Sequence, residues 1–165
     1  MKQKNKSEEQ VPAEPTVNEF CFTAIRGIQA GRPFYAVMCP LGMVSRILDY
    51  EGSKDTRRRL FTAAIPKIAN YIVKQTKSYV LSSIAVAIGG EFEFRPHSGS
   101  SDHGQLLIPM TTPLLVNDGQ HRCAAIRDAV AKKPSLTNET ISVVFTPDPG
   151  LEQSDQMFDD LNRRY

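Results

Sequence analysis

Leu114-Leu115-Val116-Asn117-Asp118-Gly119-Gln120-His121-Arg122-Cys123-Ala124-Ala125-Ile126 joins an apolar run, a polar turn and the start of a regular apolar pattern. The run Leu114 to Val116 reads as a strand, and Cys123 to Lys132 reads as a helix. A glycine between them lets the backbone bend tightly and leaves amide N–H groups pointing at whatever sits above the turn. Asp118, Gln120, His121 and Arg122 add an acceptor, an amide, a titratable imidazole and a guanidinium fork. Such a cluster is costly to bury unless its charges are paired or bound. The turn therefore reads as built for a polyanion, most simply a phosphate.

Outward from this turn, Phe20 to Ile25 reads as a strand broken by Gly27, Gly31 and Pro33, and Phe34 to Met38 as a second strand. Met43 to Leu48 reads as a short helix. Lys54 to Ala64 has helical spacing, and Pro66 divides it from the segment Pro66 to Gln75. There, Ile68, Ala69, Ile72 and Val73 repeat with a period of 3.6. The β-branched stretch Tyr79 to Ile88 predicts a strand closed by Gly89-Gly90, and Glu91 to Phe94 alternates like a half-exposed one. Arg95 to Gln105 reads as a mobile loop; its His97 and His103 lack the further ligands of a zinc set. Leu106 to Pro109 and Thr140 to Thr146 are further strands, and Pro147 to Gly150 turns the chain into a helix over Glu152 to Asn162.

This order predicts a mixed α/β (α+β) domain, a sheet with packed helices. The sheet should include Tyr79 to Ile88, Leu114 to Val116 and Thr140 to Phe145, with the polar turn at a strand's C-terminal edge. Residues 1–17, polar and rich in Lys, Glu, Gln and Pro, read as a disordered tail, and 18–165 as one domain.

Composition narrows the classes. Hydrophobic residues make up 41% of the 165 and charged ones 23%, as in an ordinary soluble globule. No apolar stretch approaches a membrane span and no signal-peptide core opens the chain, so the expected setting is cytoplasmic, away from membranes. Three widely spaced cysteines without a CxxC argue against a disulfide framework and a structural zinc site. They read as buried thiols, except that Cys123 lies near a helix N-terminus, where a thiol pKa can be lowered. No Walker A, Ser-His-Asp or zinc-protease pattern occurs.

The net charge of +2 is uninformative, but its distribution is not. Lys54 to Lys77 holds seven basic residues against Asp55, a local net of +6, whereas Glu139 to Asp160 holds six acidic residues and no basic one. Arg57, Arg58, Arg59 and Lys67 are therefore candidates for a DNA phosphate backbone, with a solvated helix face as the alternative.

Within the turn, each residue has two readings. Arg122 can fork onto phosphate or pair with Asp118 or Asp128. His121 can bond a phosphate, act as acid or base, or simply pack. Asp118 can orient His121, position a Mg²⁺-bound water, or cap the turn. Gln120 is a positioning group, and Gly119 serves backbone geometry in either case.

Five blocks taken together resemble a known family: Gly27 to Leu41, Pro66 to Ile72, Asn117 to Ile126, Glu139 to Phe145 and Gln156 to Arg163. In their order the chain resembles the DndB family of DNA phosphorothioation (dnd) systems, whose domain is named for Asp118-Gly119-Gln120-His121-Arg122. Chains of that family usually continue past the last block, so the resemblance implies a domain truncated at its C-terminus. The layout is also similar to the ParB/sulfiredoxin superfamily, whose GERR and GCHR boxes grip nucleotide phosphates where Gly119 to Arg122 stands here. Asp160-Leu161-Asn162-Arg163 resembles the later Glu-Asn helix of ParB proteins, which brings Asn162 into the nucleotide set.

Three readings compete, and the resemblance implies the first most directly. The first is a DNA-binding transcriptional regulator of the dnd genes, with double-stranded DNA, other dnd proteins and further copies of the chain as partners. The second is an ATPase or DNA-nicking enzyme that uses ATP or another nucleotide with Mg²⁺, Asp118 and His121 being catalytic and Asp118 facing the metal. In the third the chain is a non-catalytic interaction module.

Overall fold

Two long strands open the fold, β1 (Glu19–Gln29) and β2 (Arg32–Pro40), joined by Ala30-Gly31. Both turn residues have positive φ, the geometry whose twist matches a two-residue hairpin. The structure is a computed structural model that describes residues 18–48 and 62–163. The expected tail, the basic triplet Arg57-Arg58-Arg59 and most of the helix expected over Lys54 to Ala64 lie outside the described residues. Gly27 does not break β1. It sits inside the strand opposite Phe34, whose ring occupies the space a Cβ would take.

Next come α1 (Leu41–Ile47), α2 (Ile65–Lys74), β3 (Ile84–Ile88), β4 (Glu93–Pro96), β5 (His103–Pro109), β6 (Leu114–Asp118), α3 (Gln120–Lys132), β7 (Thr140–Pro147) and α4 (Ser154–Asn162). The seven strands form one sheet in the order β4-β5-β1-β2-β7-β3-β6. Among the described residues only the β3–β7 pair is parallel. The expected mixed α/β architecture, with the 114–116 and 140–145 segments in the sheet, is what the fold shows.

Packing explains the arrangement. Alternate residues of the strands point into one core: Phe22 and Ala24, Val37 and Cys39, Val143 and Phe145, Ile84 and Val86, Leu114 and Val116. Onto this layer α1 contributes Val44, α2 Ala69 and Ile72, and α3 Cys123, Ala124, Ala125, Ile126 and Ala129. The small residues of α3 let it sit close between its neighbours α1 and α2. Phe145, fully buried at the sheet centre, lies against Phe22 with ring centroids 5.8 Å apart.

Two local expectations are corrected. The strand expected over Tyr79 to Ile88 begins only at Ile84. Residues 79–83 find no ladder partner; the Val80 N–H donates to the Tyr71 hydroxyl at 2.9 Å and the Tyr79 hydroxyl donates to Glu139. The stretch Arg95 to Gln105 is not a plain loop but most of a hairpin, since Arg95 and Pro96 end β4 and His103 starts β5. Ser100 Oγ closes it by accepting the Asp102 and His103 amides at 3.2 and 3.0 Å. In addition, α3 starts at Gln120, three residues before its expected start.

Because Phe145 is enclosed on all sides, Phe145→Ala should cost about 3–5 kcal/mol of unfolding free energy, measured by urea denaturation.

Candidate functional site

Strand β6 ends at Asp118, Gly119 makes the turn, and α3 begins at Gln120. The polar turn thus sits at a strand's C-terminal edge, as its composition demands. Gly119 has φ +105°, a left-handed conformation that a side chain would strain. Space is short as well: a Cβ there would lie 3.0 Å from Arg122 Nη2 and 3.1 Å from Ile84 Cγ1.

Arg122 folds back over this turn. Its Nη2 donates to Asp118 Oδ2 at 2.8 Å and to the Ser83 carbonyl at 2.9 Å. Sheet register makes both reachable: Asp118 pairs with Ala85, so β6 ends where β3 begins. Arg122 Nε is buried and unbonded within the chain, while the side chain as a whole keeps 21% of its surface exposed. The arginine is therefore tied to structure through Nη2, its Nε is enclosed, and only part of the side chain reaches the surface. Asp118, 38% exposed, is committed to the arginine without being enclosed.

The N-terminus of α3 adds donors. A helix start has N–H groups without an intrahelical acceptor; no side chain caps this one and no acidic residue lies in its first turn. Both conditions favour an anion at that point. Gln120 is buried in the first turn and His121 is half-buried. Burial, reinforced by the neighbouring Arg122 charge and partly opposed by Asp118, holds the His121 imidazole below its ordinary pKa of 6.5. It is therefore neutral at pH 7.

Asn162 joins from the far end of the chain. α4 packs beside β6, and Asn162 Nδ2 donates to the Phe158 carbonyl at 2.8 Å and reaches the Asn117 carbonyl at 3.4 Å. The structure thus brings Asp118, Gly119, Gln120, His121, Arg122 and Asn162 to one corner of the sheet. Ser83 was not legible as a member of this corner, because it acts through a backbone carbonyl and its composition carries no signal. Of the DNA candidates, Lys67 is exposed on α2, away from this corner in sequence and element; the three arginines lie outside the described residues.

Cys123 departs from expectation. Enclosure, not the helix terminus, dominates: burial pushes its thiol up to about 12, against a smaller lowering by Arg122. Cys39, also buried, is raised to about 11.

With the turn, its arginine and the sheet order in view, the comparison with known families is decisive: the model of DndB, described as DNA-sulfur modification-associated, matches residues 22–165. The chain belongs to the DndB family. No curated protein and no solved structure matches it. The DndB match spans nearly the whole chain and associates it with DNA sulfur modification. No helix among the described residues is long and apolar enough to cross a membrane. Among them, too, no group of three or more His, Cys, Asp and Glu is placed to hold a metal ion.

Two measurements check the electrostatics. A thiol reagent at pH 8 should label Cys21 in the folded chain and leave Cys39 and Cys123 untouched until denaturant is added, as counted by mass spectrometry. His121 binds its proton less readily when folded, so the unfolded state takes up more protons as pH falls through 6.5 and below. Stability should accordingly be fully present above pH 6.5 and decline below it. His121→Gln should flatten that part of the curve of thermal midpoint against pH.

Proposed function

We propose that the chain is a DNA-binding regulator of a DNA sulfur-modification system, acting in the cytoplasm on transcription of the dnd genes and in contact with other dnd proteins. The family match carries this reading, and the local excess of +6 over Lys54 to Lys77, part of which is the exposed Lys67 on α2, supports it. Lysine and arginine contacts to phosphate release counterions, so affinity falls by a log–log salt slope of about −0.9 per contact on duplex DNA. Replacing Arg57, Arg58 and Arg59 with Ala should flatten that slope by up to about three units, read by filter binding. An unchanged slope and affinity would assign these arginines to a solvated face.

A second reading is favoured by the convergence of Asp118, Arg122 and Asn162 at an uncapped helix start. Here that corner holds the phosphates of a nucleotide such as ATP, with hydrolysis or DNA nicking as the enzymatic outcome. The donor set suits it: the exposed part of Arg122 and the uncapped first-turn amides are where an anion would bind, with Gln120 in that same turn. Mg²⁺ characteristically binds through one or two carboxylates together with the substrate's own phosphates, so Asp118 is the residue that would hold it. When bound, the ion would neutralise developing charge on the phosphates. Asp118 would exchange part of its contact with Arg122 for that role, and His121, neutral at pH 7, is suited to accept a proton.

Arg122→Ala should weaken nucleotide binding by about 1.5–3 kcal/mol in calorimetry with Mg²⁺ present, the range for hydrogen bonds to charged groups. His121→Ala should lower a phosphate-release rate more than affinity. Absence of ATP and CTP binding to the folded wild type would remove the enzymatic reading and leave Arg122 as the structural clamp of its turn.

A further inference from the structure

Helices α2 and α3 pack side by side, and they and the residues just beyond their ends carry five lysines. Lys67 and Lys74 lie on α2 and Lys77 just beyond its end, while Lys132 closes α3 and Lys133 follows it. Two contacts bring the sets together across the helix pair. Lys132 Nζ lies 3.4 Å from Asn70 Oδ1, and Lys133 Nζ lies 3.4 Å from Thr76 Oγ1. Asn70 stands three residues after Lys67 and four before Lys74, so all three share one face of α2.

The surface is short of compensating charge. No Asp or Glu occurs between residues 62 and 90. Two carboxylates lie nearby in the chain. Asp128 is 3.5 Å from Arg127 Nε, and Glu139 accepts a hydrogen bond from the Tyr79 hydroxyl. Among the described residues no ion pair holds any of the five lysines. A lysine in the last turn offsets the helix dipole, which accounts for Lys74 and Lys132 but not for Lys67, Lys77 or Lys133.

We propose that this two-helix lysine surface docks the phosphate backbone of duplex DNA. It rests on the DNA-binding reading above and gives it a location outside the basic arginine triplet. Lys67 and Lys74 are seven residues apart, a rise of about 10 Å along α2, which spans more than one phosphate of a strand. Asn70, Thr76 and Ser78 supply neutral donors on or beside that face. Helix α3 then carries the docking surface at its C-terminus and the Asp118–Arg122 turn at its N-terminus, about 20 Å apart. DNA and a small phosphate ligand would occupy opposite ends of one rigid element and need not compete.

The test uses the full chain and a labelled duplex, titrated between about 50 and 200 mM salt. The variant replaces Lys74, Lys77, Lys132 and Lys133 with Ala, its fold verified by circular dichroism; a companion replaces the same four with Arg. The Ala variant should flatten the log–log salt slope by about 0.9 for each lysine that contacts a phosphate, up to about three or four units, and weaken binding at least about tenfold at low salt. The Arg variant should keep wild-type slope and affinity. If the wild type binds and the Ala variant matches it in both, this surface is overturned while the DNA-binding reading stands. A wild type that binds no duplex overturns both. One that ignores duplex yet takes up poly-L-glutamate through these lysines would overturn the proposal in favour of an acidic protein partner.

Discussion

One residue in a left-handed conformation holds the candidate site together. Strand β6 must give way to helix α3 without a loop, and Gly119 does this alone at φ +105°. Because it lacks a Cβ, the Arg122 guanidinium can lie over it and reach both Asp118 and the Ser83 carbonyl. Those two bonds fasten the start of α3 to the ends of two adjacent strands. The helix then fixes Cys123, Ala124, Ala125, Ile126 and Ala129 in the core and its last lysine near α2. A shift in this turn would therefore move a helix that touches both α1 and α2.

The arrangement also sets one arginine among more polar groups than its structural bonds require. A bond to a carboxylate is the ordinary structural use of a guanidinium, and Asp118 provides it. The surrounding polar groups exceed that need: an uncapped helix start, a buried Gln120, a neutral His121 and an asparagine arriving on α4. A turn serving only to cap a helix would be more economically built from a serine or aspartate at the cap position.

How much was legible in the sequence depended on range. The Asp118–Arg122 turn was readable because a glycine flanked by strand and helix patterns is a local signal, and β2, α2 and β7 were readable from periodicity. Residues 79–83 misled because β-branched composition says a segment suits a strand but not that a neighbour exists to pair with it. Gly27 misled in the opposite sense: its role is to receive the Phe34 ring across the hairpin, a tertiary fact. Cys123 misled because proximity to a helix terminus was visible and total enclosure was not. Asn162 was reached through a resemblance, whereas Lys132 and Lys133 stood in plain view without any hint that α2 lay beside them.

The strand order has a consequence for how the chain is made. β7, the last of the seven strands in chain order, belongs in the interior of the sheet, between β2 and β3. Pro40 waits for Thr140, a hundred positions later. Without β7 the remaining strands fall into two groups, β4-β5-β1-β2 and β3-β6, whose facing edges β2 and β3 would lack a partner. Open edges of that kind invite pairing with other chains, and pairings so distant in sequence form slowly. A chain without β7 in place would therefore leave two half-sheets exposed to association with strangers, and the insertion of one eight-residue strand closes both.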